Sequence, residues 1–308
     1  MRDRVPAMLL YVVQSQGSSP GRQGFAMSVD VHGTMQGSIG GGIMEHKLVQ
    51  LAREKLTQLA LSSSLHRQIH NKKAPQDQSG MICSGEQTVL LYPVRTTDTP
   101  AIQQLLTGLQ QEQTGTLTLA PGGISFEANK LPAQDYLFRQ ESENEWLYQE
   151  KIGYKNHLHI IGSGHCALAL SQLLRPLDFC LHLYEDRPQL NTFLANNYVH
   201  NKTQVAGYAE LQTLIPEGEN QYVVIMTFGY RTDDVAVRAL LSKRLRFLGL
   251  LGSQKKIEKM LNDYQAEGIP PEQLQRLYAP VGLPINSQTP EEIAISIAAQ
   301  LIAVKNAK

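Results

Sequence analysis

The 308-residue sequence predicts an α/β protein of two domains, a mixed-sheet α/β domain followed by a doubly wound parallel-sheet domain. Three observations carry that expectation. The first third of the chain shows period-two apolar alternation and then one amphipathic helix, as half-buried strands and a covering helix require. From His157 onward, short and almost wholly apolar strands alternate with helical segments, the signature of a parallel sheet covered on both faces. The first of these strands passes into its helix through Gly162-Ser163-Gly164-His165-Cys166-Ala167, a Gly-x-Gly-x-x-Ala turn that makes the second domain Rossmann-like. The expected bounds are residues 1–155 and 156–308.

The elements follow in order. Ala7-Met8-Leu9-Leu10-Tyr11-Val12-Val13 is too short an apolar run to cross a membrane and reads as a strand entering a loop at Gln14-Ser15-Gln16-Gly17. Phe25, Met27, Val29 and Val31 alternate with Ala26, Ser28, Asp30 and His32 as a second strand, and His32-Gly33 turns it into a third over residues 34–39. Gly40-Gly41-Gly42 stops that strand, and Met44, Leu48, Leu51, Leu56 and Leu59 then form one helical stripe. Residues 87–94 are a further strand. Residues 95–155 are expected to complete the domain and supply a connector, with a helix at 101–109, short strands at 116–119 and 136–138, and a turn at Pro121-Gly122-Gly123. The second domain is expected to place strands at 157–161, 181–184, 222–226 and 247–251, and helices at 167–174 and 254–264. Its closing helix announces its own start. Thr289 is the N-cap, Pro290 sits in the first turn, Glu292 completes a capping box, and Ile293, Ile297 and Leu301 line one face.

Composition narrows the function. Lys plus Arg (28) equals Asp plus Glu (28), so no overall basic field is available to hold nucleic acid or an anionic membrane. Cys83, Cys166 and Cys180 form no CxxC pair and are too few for a disulfide framework, which fits a reducing compartment. A soluble, cytoplasmic protein is expected, with neither nucleic acid nor membrane as partner. No H-E-x-x-H metal spacing occurs, and Gly17-Ser18-Ser19-Pro20-Gly21, which has the Gly-x-Ser-x-Gly spacing, joins two expected strands and is not the strand-to-helix turn of a nucleophile elbow.

Four constellations can carry chemistry. Gly162 and Gly164 open a helix whose unpaired N–H groups and dipole attract phosphate, with His165 beside them; the same turn is also what any doubly wound fold needs. Glu185 ends the next strand, where an acid can bind a ribose hydroxyl. Gly37-Ser38-Ile39-Gly40-Gly41-Gly42, with Glu45 in the following helical turn, is either an anion-binding nest or a tight corner in which Glu45 complements the helix dipole. Arg22, in Gly17-Ser18-Ser19-Pro20-Gly21-Arg22, can clamp a phosphate or simply decorate a solvated loop. Cys83, in Met81-Ile82-Cys83-Ser84-Gly85, is a candidate thiolate able to bind metal or sulfur, or a small buried hydrophobe. Cys166 and Cys180 are expected to pack inside the second domain.

Taken in order, these segments resemble the xanthine dehydrogenase accessory family (XdhC/CoxI). The matching pieces are Gly17-Ser18-Ser19-Pro20, the glycine run at 37–42 with Glu45, Cys83-x-Gly85, Gly162-x-Gly164-His165, Asp186-Arg187-Pro188, Gly249-Leu250-Leu251-Gly252-Ser253 with Lys255, Ala279-Pro280-x-Gly282-Leu283, and the run from Thr289 to Ile297. The resemblance implies a chaperone that binds molybdenum cofactor (molybdopterin), assists its sulfuration and delivers it to a xanthine dehydrogenase-type molybdenum hydroxylase. It implies a cysteine desulfurase as sulfur donor and a homodimeric state. Cofactor contacts are implied for Ser18, Ser19, Arg22, Ser38, Gly40, Gly41, Gly42, Glu45, Gly162, Gly164, His165, Glu185, Asp186, Arg187, Gly252 and Ser253, with Cys83 as the catalytic thiolate and molybdenum ligand. Three positions depart from the family pattern. Ser84 stands for the usual glycine after the cysteine, Phe228 follows Thr227 where a histidine is usual, and Glu185 adjoins Asp186 so that either acid can take the ribose-like position. The alternative reading is an NAD(P)-dependent oxidoreductase built on the Gly162 motif, although no Tyr-x-x-x-Lys pair sits where a hydride-transfer substrate would be expected.

Overall fold

The computed structural model describes residues 5–59, 62–69 and 85–307; Cys83 and Ser84 lie outside the described residues. The chain divides into two compact units, Met1–Gly153 and Tyr154–Lys308.

The first unit contains β1 (Ala7–Gly17), β2 (Ala26–Asp30), β3 (Met35–Gly37), α1 (Gly42–Thr57), β4 (Ser64–Ile69), β5 (Gly85–Pro93), α2 (Thr99–Gln110), β6 (Gly115–Ala120), β7 (Gly123–Ala128), β8 (Tyr136–Ser142) and β9 (Glu145–Ile152). Five strands form an antiparallel sheet in the order β3-β2-β1-β5-β4, and four form a second sheet in the order β7-β6-β9-β8. The central strands explain their own sequences. On one face Met8, Leu10, Val12, Val89 and Leu91 pack under Met44, Leu48, Ala52 and Leu56 of α1. On the other, Tyr11, Val13, Leu90 and Tyr92 meet Leu117, Leu119, Trp146 and Tyr148 of the second sheet. Strands buried on both faces must be apolar throughout, and each such side chain contributes about 1.5–3 kcal/mol on burial. Leu59 departs from its expected place in the α1 stripe. It follows the helix with φ 55° and is exposed, so the helix has already ended in a turn. Residues 95–155 hold no loose connector: they build α2 and the whole second sheet.

The second unit contains β10 (His157–Ile161), α3 (His165–Leu174), β11 (Cys180–Glu185), α4 (Asn191–Ala195), β12 (Asn201–Gln204), α5 (Leu211–Leu214), β13 (Gly218–Ile225), α6 (Tyr230–Leu240), β14 (Leu245–Leu250), α7 (Gln254–Ala266), α8 (Pro271–Leu274), β15 (Leu277–Tyr278) and α9 (Pro290–Asn306). Its six strands are parallel, in the order β12-β11-β10-β13-β14-β15. One face buries Leu158, Ile160, Leu181 and Leu183 against Leu170 and Leu174 of α3 and Ile297 and Leu301 of α9. The opposite face buries Ile161, Val223, Ile225 and Leu250 against Val237, Leu240, Ile257 and Met260. The chain therefore winds outward from β10 in both directions, and a crevice opens beyond the carboxyl ends of β10 and β13, where the strand order reverses.

Candidate functional site

At that crevice lies a cleft of about 670 Å³ lined by Gly164, His165, Cys166, Arg187, Thr227 and Phe228 among others. Its floor is the turn after β10. Gly162 has φ +93°, and a Cβ there would sit 2.6 Å from the Met226 carbonyl oxygen at the end of β13. Only glycine fits that approach. Gly164 is different. Its backbone is extended, at φ −73°, and a Cβ would meet nothing within 4 Å, so the fold makes no demand for glycine there. No side chain caps α3, which leaves the first-turn N–H groups of His165, Cys166 and Ala167 facing a site suited to an anion. Beside them the Ser163 hydroxyl is buried and finds no hydrogen-bond partner among the described residues.

Glu185 does not project into this cleft as a ribose acceptor. It is fully buried, and its carboxylate accepts from Ser163 N (2.7 Å), Arg187 N (3.1 Å), Arg187 Nε (2.7 Å) and Arg187 Nη2 (3.2 Å). Burial opposes its ionisation most strongly of any single cause, but the hydrogen bonds from Arg187, Asp186 and Ser163 and the Arg187 charge together hold the carboxyl below the usual range. Thr192 Oγ1 donates to the Ser163 carbonyl, so both backbone groups of Ser163 are fixed from opposite sides. Asp186 accepts from Tyr208 Oη (3.1 Å), and its carboxyl is raised by burial and by the adjoining Glu185. Across the cleft, Asp233 is fully buried; it accepts from Thr227 N (3.1 Å) and Thr227 Oγ1 (2.6 Å) and pairs with Lys256 Nζ. Lys256 also donates to the Leu251 carbonyl (2.8 Å), which ties the ends of β13 and β14 together. Gly252 and Ser253 line an adjacent cleft of about 680 Å³ that shares Leu251 with the first. Ser253 caps α7 through Lys256 N.

In the first unit, the glycine-rich turn is filled by the chain's own acid. Glu45 Oε2 accepts from Ser38 Oγ (2.8 Å), Ile39 N (2.9 Å) and Gly41 N (3.0 Å), while Gly40 N donates to Ser38 Oγ (3.1 Å). Burial works against this carboxylate, yet the hydrogen bonds from Ser38, Ile39 and Gly41 lower its pKa. An anion does sit in the nest, and it is Glu45. The loop carrying Ser18, Ser19 and Arg22 lies against the same turn: a Cβ on Gly21 would be 2.2 Å from the Ile39 carbonyl oxygen, and one on Gly40 2.5 Å from Gly21 N. Ser19 is buried and donates to Gly21 O (2.6 Å), and Arg22 donates to Gly17 O (2.9 Å), so both shape the loop. Cys83, assigned from the sequence as thiolate and molybdenum ligand, lies outside the described residues.

Residues 158–301 match the family model described as the XdhC Rossmann domain, and residues 1–62 match the one described as the XdhC and CoxI family. The chain belongs to the XdhC/CoxI family. Among its relatives, an uncharacterized protein of Escherichia coli strain K12, YqeB, is 24% identical over 306 residues, or 98% of this chain and 44% of that protein. A probable xanthine dehydrogenase subunit of Bacillus subtilis strain 168 is 28% identical over 167 residues, or 52% of this chain and 46% of that protein. The chain spans under half the length of the curated relatives it matches. A crystal structure of a xanthine dehydrogenase from Bacillus halodurans superposes with a TM-score of 0.69 at 23% identity, covering 98% of this chain and 92% of that one, a likeness of fold. Within this XdhC/CoxI chain, two cleft residues were not legible as such from the sequence. Cys166, expected to pack inside, lines the cleft, with its thiol pushed up by burial. Phe228, at the position that departs from the family pattern, is 86% exposed, with the Arg187 guanidinium 5.3 Å from its ring centre.

Proposed function

We propose that the protein is an accessory factor for a xanthine dehydrogenase-type molybdenum hydroxylase and holds molybdenum cofactor as cargo in the cleft at the α3 N-terminus. Gly164 carries this reading. A glycine that neither backbone conformation nor packing requires, at an uncapped helix N-terminus, lets a phosphate approach the main chain. The other groups suit the rest of that cargo. The exposed Phe228 ring, with Arg187 beside it, offers a flat face for a pterin. A cleft of about 670 Å³ has the capacity of a cofactor site. The family match and the name of the Bacillus subtilis relative favour a xanthine dehydrogenase as client.

The cargo supplies the metal centre that accepts sulfur; the chain's own part is to grip the phosphate, orient the ring and release it to the client. Cys83 is the residue we assign to sulfur handling, with a cysteine desulfurase as donor. The competing reading, a nicotinamide-dependent oxidoreductase, is favoured by the strand order of the second unit. It is disfavoured by Glu185, whose carboxylate is already committed to Ser163 and Arg187. Full-length protein purified from cofactor-producing cells should carry molybdenum and an oxidisable pterin and should not respond to NAD(H) or NADP(H). Gly164→Val should keep the fold and lose the cargo. Tight dinucleotide binding without molybdenum, or full retention of cargo by Gly164→Val, would overturn the proposal.

A further inference from the structure

The opposite end of the same parallel sheet carries an unusual group of side chains. His157 opens β10 and Cys180 opens β11, and the two are register partners; His159 and His182 are partners two residues further along. Residues two apart share a sheet face, so all four project to one side. Farther along the strands that side is hydrophobic core, with Ile161, Val223 and Ile225. Three imidazoles and a thiol on the half-buried start of an apolar face must be compensated by specific partners.

His159 has its partners. Its Nε2 lies 2.8 Å from Gln221 Oε1 and its Nδ1 3.1 Å from Tyr184 Oη, while its ring stacks on His182 at 4.7 Å. It forms a wall. The remaining three converge: His157 Nδ1 is 3.1 Å from His182 Nε2, and the ligand atoms of His157, Cys180 and His182 all lie within 4.8 Å of one another. Tetrahedral bonds of about 2.0–2.1 Å to nitrogen and about 2.3 Å to sulfur set ligand atoms roughly 3.3–3.6 Å apart. The two imidazoles are near that spacing, and the thiol reaches it by closing at most about 1.2–1.5 Å.

We propose that His157 Nδ1, Cys180 Sγ and His182 Nε2 bind one zinc-class cation, with a fourth position left for water or an exogenous ligand. Two imidazoles and a thiolate select zinc or cobalt over the oxygen-seeking magnesium and calcium. Binding costs the thiol its proton, which leaves to solvent. The metal would clip the starts of β10 and β11 at the end of the sheet away from the cofactor cleft, so this site stands or falls independently of the cofactor reading.

The test is a cobalt(II) titration of the full-length protein after chelator treatment. The expected result is a thiolate-to-cobalt charge-transfer band that saturates at equimolar metal, is bleached by zinc and persists in Cys83→Ser. Cys180→Ser should abolish the band, and His182→Gln should weaken cobalt binding by at least about tenfold. Circular dichroism on each variant confirms that it has folded. If the folded wild type gives no such band, the contact is an imidazole–imidazole hydrogen bond only and the site is refuted. A band that survives Cys180→Ser or ignores His182→Gln refutes it equally.

Discussion

Replacing Glu185 with glutamine tests the architecture of the cleft floor. The carboxylate is fully buried and receives four N–H donors, two on each oxygen: Arg187 N and Nε on Oε1, and Ser163 N and Arg187 Nη2 on Oε2. Whichever way the amide of Glu185→Gln is turned, its NH₂ confronts two N–H donors. A hydrogen bond to a charged group is worth about 1.5–3 kcal/mol, and an orphaned buried donor adds its own cost. Arg187 is 39% exposed and rehydrates part of its guanidinium, which discounts the loss. The net expectation is a destabilisation of about 2–4 kcal/mol. For a unit of this size that is a fall in Tm of roughly 5–15 °C. The pH dependence fixes the cause. Glu185 has a folded pKa below its unfolded value of about 4.3, so its contribution is complete above that value and is lost as pH falls through the folded pKa. Thermal melts followed by circular dichroism at pH 7 and pH 3 should therefore show a gap between wild type and Glu185→Gln that closes on acidification. Equal melting at pH 7, or a gap unchanged at pH 3, would refute the assignment of this carboxylate as the charged staple of the turn.

Three further outcomes are expected. Gly162→Ala should lose about 1–3 kcal/mol because of its φ of +93° and the 2.6 Å approach to Met226 O, whereas Gly164→Ala should stay within about 0.5 kcal/mol of wild type in urea unfolding. Phe228→Ala, at a side chain 86% exposed, should leave Tm unchanged while weakening retention of the pterin cargo by roughly 3–10-fold in a dialysis assay. Glu45→Gln should cost about 1 kcal/mol, because the charge shared by Ser38, Ile39 and Gly41 is removed, and the deficit should vanish at low pH, where wild-type Glu45 is itself protonated.

What was legible in the sequence is what neighbouring residues decide. The α9 start is closed by contacts only three residues long, Glu292 N to Thr289 Oγ1 and Thr289 N to Glu292 Oε2, each 3.2 Å, and the capping box could be read directly. The parallel strands were legible because both faces are buried and most of their residues are apolar. The second sheet of the first unit was read in part: the strands expected at 116–119 and 136–138 lie in β6 and β8, whereas β7 and β9 were missed, β7 because it buries only Phe126 and β9 because a charged residue, Glu150, takes a buried place in its alternation after Trp146 and Tyr148. At the site, the acids were singled out from the sequence, and in the structure their partners are the protein's own groups. Glu45 and Glu185 each stand beside a glycine-rich turn, but they fill it with the protein's own carboxylate, and the partners of Glu185 include a backbone amide 22 residues away. The motif also treats its two glycines alike. Spacing alone cannot distinguish a glycine imposed by the crossing of β13 from one left bare for a ligand; the space a Cβ would occupy does so, closed at Gly162 and open at Gly164. The fold therefore requires the first glycine of the motif, whereas the second, at the N-cap of α3, is permitted but not required, and the second is where a function is to be sought.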